Sequence, residues 1–192
     1  WIDVKEKIIY QKDKTKKLIL TLSNFAPRKG IIEYLNIIKK VIKANKKIIF
    51  ILAGRDDMNG SVQKIIKEKR LEKFVKTPGF VHNTNEILKT ADLVILPSLL
   101  PEGCPTSILE AMSFGKPVIG YNINGSNELI INNETGFLVP LNDQEIMVSS
   151  ILELLSSPKL IEKFGKNGYN RAIKKFTLEK MLTEHRNFIN NI

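Results

Sequence analysis

Two glutamates, Glu102 and Glu110, stand eight positions apart, and the segment between them opens with Gly-Cys-Pro-Thr-Ser. Paired carboxylates of this kind suit two chemistries. They can accept hydrogen bonds from the vicinal hydroxyls of a bound sugar, each charge-assisted and worth about 1.5–3 kcal/mol. They can also divide the acid and nucleophile duties across a glycosidic bond. Pro105 and Thr106 lie at the start of a helix, so free amides near residues 106–108 point out of its N-terminus toward an anion or a hydroxyl. Such an anion-friendly end is an odd companion for a glycosidase pair. The spacing by itself still fits both.

Other chemistry-bearing residues fall at comparable places. "SNFAPRKG" (23–30) puts Arg28 and Lys29 at a helix start. Cations there oppose the helix dipole, which suits a phosphate held jointly by lysine and amides, or else ordinary surface lysine. "AGRDD" (53–57) carries Gly54 and Arg55 where a strand meets a helix. Gly54 allows close backbone approach to a ligand, or simply makes the turn. In "PGFVHN" (78–83), Phe80 and Val81 could flank a flat ring, whereas His82 reads as a plain surface histidine. The Gly-x-Gly-x-x-Gly fingerprint of dinucleotide binding is missing from the first loop, which argues against a nicotinamide enzyme.

The elements that must position these residues follow from hydrophobic patterning. Strands are expected at 17–25, 47–54, 74–81, 92–97, 117–121 and 135–140, apolar almost throughout. Helices are expected at 27–44, 58–71, 83–91, 105–115 and 125–132. From 143 onward the pattern is helical, with a break near 165–168 and a last helix at 177–191. That helix carries Leu178, Met181, Leu182, His185, Phe188 and Ile189 on one stripe. Apolar strands alternating with helices imply a parallel sheet covered on both faces, a doubly wound α/β domain. In such sheets ligands sit beyond the carboxyl ends of the strands at the switch point. The loops at 23–30, 54–57, 80–84, 97–107 and 121–127 are therefore where function is expected.

The bulk numbers bound the class. A chain of 192 residues with 43% hydrophobic and 26% charged residues suits one ordinary globular domain. One cysteine, Cys104, excludes an internal disulfide or a cysteine-based metal cluster and fits a reducing, cytoplasmic setting. The net charge of +10 suits anionic partners such as nucleotides or an acidic membrane surface. The blander reading is AT-rich coding, since lysine far outnumbers arginine and Ile and Asn are plentiful. The basic residues do not interleave with aromatics as a nucleic-acid groove requires, so no nucleic-acid partner is expected. No stretch approaches the roughly 18 apolar residues of a membrane span. The chain opens at Trp1 with no signal peptide, and its natural N-terminus is expected further upstream.

In combination, "PRKG" (27–30), "ILAG" (51–54), "PGFV" (78–81), "ADLVILPS" (91–98), "EGCPTSILEAMSFGKPVI" (102–119) and "GSNELIINNETGFLVP" (125–140) carry a resemblance. The chain resembles the C-terminal, donor-binding domain of the retaining family 4 glycosyltransferases of the GT-B fold, from about residue 18 to its end. The resemblance implies that Glu110 holds the ribose of a nucleotide and Glu102 the hydroxyls of the transferred sugar. It implies that Gly103, Cys104, Pro105, Thr106 and Ser107 line the sugar and diphosphate, that Lys29 binds the diphosphate, and that Phe80 and Val81 lie beside the base. Gly125 and Glu128 match the family's Gly-Gly-x-x-Glu stretch, with Ser126 in place of the second glycine.

One departure stands out. Where the family commonly has an arginine as a second diphosphate cation, this chain has Asn24, leaving Lys29 to act with help from Arg28 or Arg55. The resemblance implies a metal-independent, cofactor-free transfer of a hexose from a nucleoside diphosphate sugar, in polysaccharide or glycolipid synthesis. It also implies an organisation. Residues 1–16 are a connector from a preceding acceptor domain, 17–175 the donor-binding domain, and 176–192 a C-terminal helix packing back toward that domain. The chain alone is then expected to be inactive. A non-catalytic nucleotide-binding module, a synthase of glycogen type, an epimerase or a plain interaction protein are the readings weighed against it.

Overall fold

A computed structural model describes residues 15–190; the expected connector at 1–16 lies almost wholly outside the described residues. Six strands, β1 (Lys17–Leu22), β2 (Ile48–Ala53), β3 (Val75–Gly79), β4 (Leu93–Leu96), β5 (Val118–Tyr121) and β6 (Gly136–Val139), form one sheet in the order β3-β2-β1-β4-β5-β6. Every pairing is parallel. The doubly wound α/β expectation is met. The chain builds outward from β1 to β3 and then crosses to β4, so the switch point lies between β1 and β4.

Both faces of the sheet are buried, which is why the strands read as continuous apolar runs instead of alternating ones. Along β1, Ile19 packs into one core layer while Leu18 and Leu20 pack into the other. The first layer holds α1 (Ile31–Ala44), α2 (Ser61–Glu68) and α6 (Gln144–Ser156). The second holds α3 (Asn85–Thr90), α4 (Thr106–Ser113) and α5 (Ser126–Leu129). Helix α7 (Pro158–Lys175) lies against α4, and α8 (Leu178–Asn190) completes the described chain.

Two expectations about helices need correction. The run 27–44 is not one helix: a 3-10 turn at Pro27–Lys29 precedes α1, and Gly30 between them takes φ 64°. The expected break at 165–168 is not there either. Gly165 and Gly168 lie inside α7, packed against α4 and the turn after it, so their missing side chains serve close approach. The real break is at Ser157, whose side chain accepts a hydrogen bond from the Leu160 amide, followed by Pro158 in the first turn.

Between sheet and α1, Tyr34 and Thr21 are fully buried, and neither the phenol oxygen nor the threonine hydroxyl makes a well-formed hydrogen bond. Burial pushes the Tyr34 phenol well above its ordinary value, offset only in part by the Thr21 hydroxyl, and Tyr121 is raised by burial too. The unfolded phenol ionises near pH 10 while the folded one stays neutral, so the Tyr34 contribution is complete below that pH and is lost as pH rises through the folded value. Tyr34→Phe removes a buried, poorly satisfied hydroxyl at little cost in volume. The expected result in urea denaturation is unchanged or slightly raised stability at pH 7, by up to about 1 kcal/mol. A shallower loss of stability above about pH 10 is expected to accompany it. A substantial loss at pH 7 would mean that the hydroxyl is satisfied after all.

Candidate functional site

Loops after β1, β2, β3 and β4 converge beyond the carboxyl edge of the sheet. Ser23 donates its amide to Ala53 (2.9 Å), Phe25 to Arg55 (2.8 Å) and Gly54 to Gly79 (2.9 Å), so three loops zip into one floor. Asn24 closes it: its Oδ1 accepts the Arg55 amide at 3.1 Å. A Cβ on Gly54 would stand 1.9 Å from the Ser23 carbonyl oxygen. The glycine is thus required by backbone contact, the structural role weighed for it above.

Over this floor lies a cleft of about 180 Å³. Its lining includes Asn24, Gly54, Phe80, Val81, Thr84, Thr106, Ser107 and Glu110. Val81 is buried, while Phe80 is 61% exposed and stands edge-on to His82, ring centroids 4.9 Å apart. Glu110 enters from α4, and Thr84 at the start of α3 donates to its Oε2 at 3.0 Å. The N-terminus of α4 has Pro105 as its cap and no side-chain hydrogen bond there. Its first residues, Thr106 and Ser107, face the cleft with unshared amides in the way that favours an anion. Of the residues singled out from the sequence, Asn24, Gly54, Phe80, Val81, Thr106, Ser107 and Glu110 thereby share one cavity.

Lys29 and Glu102 form a second cluster beside the cleft. The Lys29 ammonium donates to Glu102 Oε2 at 2.5 Å, with the two side chains only 12% and 13% exposed. Buried Ser98, just beyond β4, donates to Glu102 Oε1 at 2.5 Å. Because β1 and β4 are adjacent, residues 73 positions apart meet across the switch point. The Glu102 backbone is held as well: its amide donates to Asn124 at 3.1 Å, and a Cβ on Gly125 would stand 2.2 Å from its carbonyl oxygen. Glu128 is not among the residues lining the cleft and accepts the Gly125 amide at 3.3 Å, while Ser126 is buried.

The remaining predicted residues lie outside the lining of the cleft. Arg55 is exposed and locked to Asp57 (Nε to Oδ1 2.6 Å, Nη2 to Oδ2 3.2 Å), and that hydrogen bond holds the Asp57 carboxyl below its usual range. Arg28 is exposed, and its backbone carbonyl accepts the Leu99 amide at 2.9 Å. Neither arginine lines the cleft, and the Arg55 guanidinium is engaged by Asp57. Gly103 is exposed and Pro105 is buried. Cys104 instead lines a groove of about 490 Å³ formed with Leu109, Phe176, Met181, His185 and Phe188. Thr84 and Ser98 went unnoticed in the sequence, although Ser98 closes the "ADLVILPS" stretch and Thr84 opens α3.

The apolar stripe of α8 is left uncovered by the described residues. Leu178, Met181, Leu182, Phe188 and Ile189 are each 44–68% exposed. Among the described residues no helix is long and apolar enough to cross a membrane.

Comparison with known proteins bears on the family and the fold. The model of the family described as glycosyl transferases group 1 matches residues 4–171. A UDP-Gal:alpha-D-GlcNAc-diphosphoundecaprenol alpha-1,3-galactosyltransferase of Escherichia coli is 31% identical over 93% of this chain and 46% of its own length. A poly(ribitol-phosphate) alpha-N-acetylglucosaminyltransferase of Staphylococcus aureus is 27% identical over 92% of this chain and 36% of its own. The chain thus spans less than half the length of these relatives. The S. aureus protein TarM, solved as a point variant with Fondaparinux, alpha-GlcNAc-glycerol and UDP, superposes at TM-score 0.85, covering 92% of this chain and 36% of that one at 27% identity. The isolated C-terminal domain of a group 1 glycosyl transferase from Francisella tularensis shares the fold at TM-score 0.77 and 22% identity, covering 89% of this chain and 92% of that one. With the parallel sheet, the switch-point cleft and a family match over most of its length, this chain belongs to the glycosyl transferases group 1 family and has the fold of a GT-B C-terminal domain.

Proposed function

We propose that this chain is the donor-binding half of a retaining glycosyltransferase that moves a hexose from a nucleoside diphosphate sugar to a glycan or lipid-linked acceptor. The observation that carries the reading is the cleft at the switch point, with Glu110 and the α4 amides in it and the Lys29–Glu102 pair beside it. Uridine diphosphate is the favoured nucleotide, because the E. coli relative uses UDP-Gal and TarM was solved with UDP. Glu110 accepts the ribose hydroxyls and Phe80 with Val81 flanks the base. The diphosphate draws Lys29 away from Glu102 and sits against the amides of Thr106 and Ser107. As the sugar–phosphate bond breaks, those donors meet the charge growing on the leaving group, with no metal required. Glu102, released from Lys29, positions the sugar hydroxyls.

A cleft of about 180 Å³ is smaller than the roughly 300–1,000 Å³ of a typical ligand site, which fits one wall of a two-walled site. The opposite wall, holding the acceptor, is then supplied by the remaining length seen in the relatives, with α8 packing toward it. The net charge of +10 supports peripheral attachment to an acidic membrane surface. Asn24 favours one second reading, a nucleotide-binding module without turnover, because it brings no charge and its Oδ1 is committed to Arg55.

A thermal-shift screen with UDP, GDP, ADP and their sugars tests the proposal. Stabilisation by UDP and UDP-sugars, and not by the free sugars, is expected. A chain that none of these compounds stabilises is not a donor-binding domain. Sugar transfer by the 192 residues alone would refute the half-site reading. Absence of transfer by a longer polypeptide that includes the relatives' other half would favour the module.

A further inference from the structure

We infer that Ser98 is a positioning residue for the donor sugar, the group that keeps the Glu102 carboxylate in place once Lys29 has turned to the diphosphate. The inference rests on the nucleotide-sugar reading above. In the structure both carboxylate oxygens of Glu102 are engaged by this chain's own donors: Oε1 by the Ser98 hydroxyl and Oε2 by Lys29. Only one of those donors can also serve a diphosphate. Lys29 carries a full charge on a flexible stem, and an anion beside it competes directly with Glu102. Ser98 is different, because it is 1% exposed and cannot follow the ligand.

The same geometry says what Ser98 contributes. Glu102 is 13% exposed, so a carboxylate deserted by Lys29 would be short of donors and free to swing. Its backbone is fixed through Asn124 and the close approach of Gly125, leaving side-chain rotation as the remaining freedom. The Ser98 hydrogen bond removes it by anchoring Oε1, so that Oε2 presents its lone pairs to the sugar in one direction. Ser98 is itself held rigidly. It follows β4 at the sheet's centre, and the next residue, Leu99, donates its amide to Arg28 at 2.9 Å. A positioning role of this kind acts on the sugar and leaves the nucleotide subsite, built from Glu110, Thr84, Phe80 and Val81, untouched.

The test measures dissociation constants by calorimetry for UDP, UDP-glucose, UDP-galactose and UDP-N-acetylglucosamine on the 192-residue chain. Ser98→Ala is expected to leave UDP affinity within about twofold. It is expected to raise the ratio of UDP-sugar to UDP dissociation constants by about five- to tenfold for the best-bound sugar. In a Glu102→Gln background the same substitution should raise that ratio no further, because Ser98 acts through Glu102. Equal losses for UDP and UDP-sugars, an unchanged ratio, or full additivity with Glu102→Gln would each overturn the inference while leaving the donor-site reading intact. Failure of the unsubstituted chain to bind any of the four compounds overturns both.

Discussion

Lys29→Met is expected to weaken UDP binding about a hundredfold, whereas Glu102→Gln is expected to strengthen it about five- to tenfold. The opposite signs follow from one contact. In the structure the Lys29 ammonium is already neutralised by Glu102 at 2.5 Å, in a spot where both side chains are largely shielded from water. UDP must compete for that ammonium and also approach the carboxylate's own negative charge. Two like charges about 4 Å apart repel by roughly 4 kcal/mol at the effective dielectric of a protein surface, before water and geometry reduce it. Replacing the carboxylate by an amide removes this repulsion and frees the lysine. Against that gain stands the loss of one charge-assisted interaction orienting Lys29, about 1.5–3 kcal/mol, so the electrostatic gain wins.

Lys29→Met works in the other direction on two counts. It deletes charge-assisted hydrogen bonds to the diphosphate, each worth about 1.5–3 kcal/mol, and leaves Glu102 unpaired in the anion's path. The double variant should therefore bind UDP better than Lys29→Met alone, and high salt should compress all these differences. Titration of the four proteins with UDP at two ionic strengths decides the matter. Weaker UDP binding by Glu102→Gln would mean that the pair is a structural strut and not a contested cation. For UDP-sugars the outcome differs, because Glu102→Gln also removes the acceptor that positions the sugar. The same substitution thus improves the nucleotide and spoils the donor, a combination that simple destabilisation cannot produce.

The contested cation was hidden from a reading along the chain for a physical reason. Lys29 and Glu102 were each visible, since each lies in a loop after an apolar strand. Their contact depends on β1 and β4 being neighbours, and strand order is not written in the hydrophobic pattern of either strand. The same holds for Ser98, which reads as an ordinary serine after a proline until the sheet brings Glu102 over it. By contrast, the strands, the two-faced burial and the convergence of loops at one edge were legible because local patterning determines them. Arg55 shows the opposite failure. Its partner Asp57 is only two residues away, but the spacing along the loop does not say that the guanidinium turns back onto that carboxylate. Ser157 followed by Pro158 carries the local signature of a helix start, whereas the glycines at 165 and 168 disfavour a helix by propensity and are kept inside one by close packing.

Those glycines support the second large effect, Gly165→Ala, which should lower the melting temperature by roughly 4–8 °C. Exposed glycines in helices normally gain from this change, since alanine is favoured by about 1 kcal/mol in a helix interior. Here the new Cβ would stand 2.1 Å from the carbonyl oxygen of Gly115, a backbone atom at the end of α4 that no rotamer change can move aside. Relief requires α7 and α4 to part, and overpacking of that kind costs about 1–3 kcal/mol or more, enough to outweigh the propensity gain. For a domain of this size each kcal/mol shifts the midpoint by about 2–4 °C. Gly168→Ala supplies the control one turn along the same helix. Its Cβ would meet the flexible Met112 side chain at 3.4 Å, an ordinary contact, so propensity prevails and the midpoint should stay level or rise by about 1–3 °C. Because α4 carries Glu110 and opens with Thr106 and Ser107, the displacement forced by Gly165→Ala should also weaken UDP binding several-fold, while Gly168→Ala leaves it unchanged. Equal behaviour of the two variants in melting and in titration would show that the α4–α7 contact is slack, and that the glycine at 165 answers to something other than the approach of the two backbones.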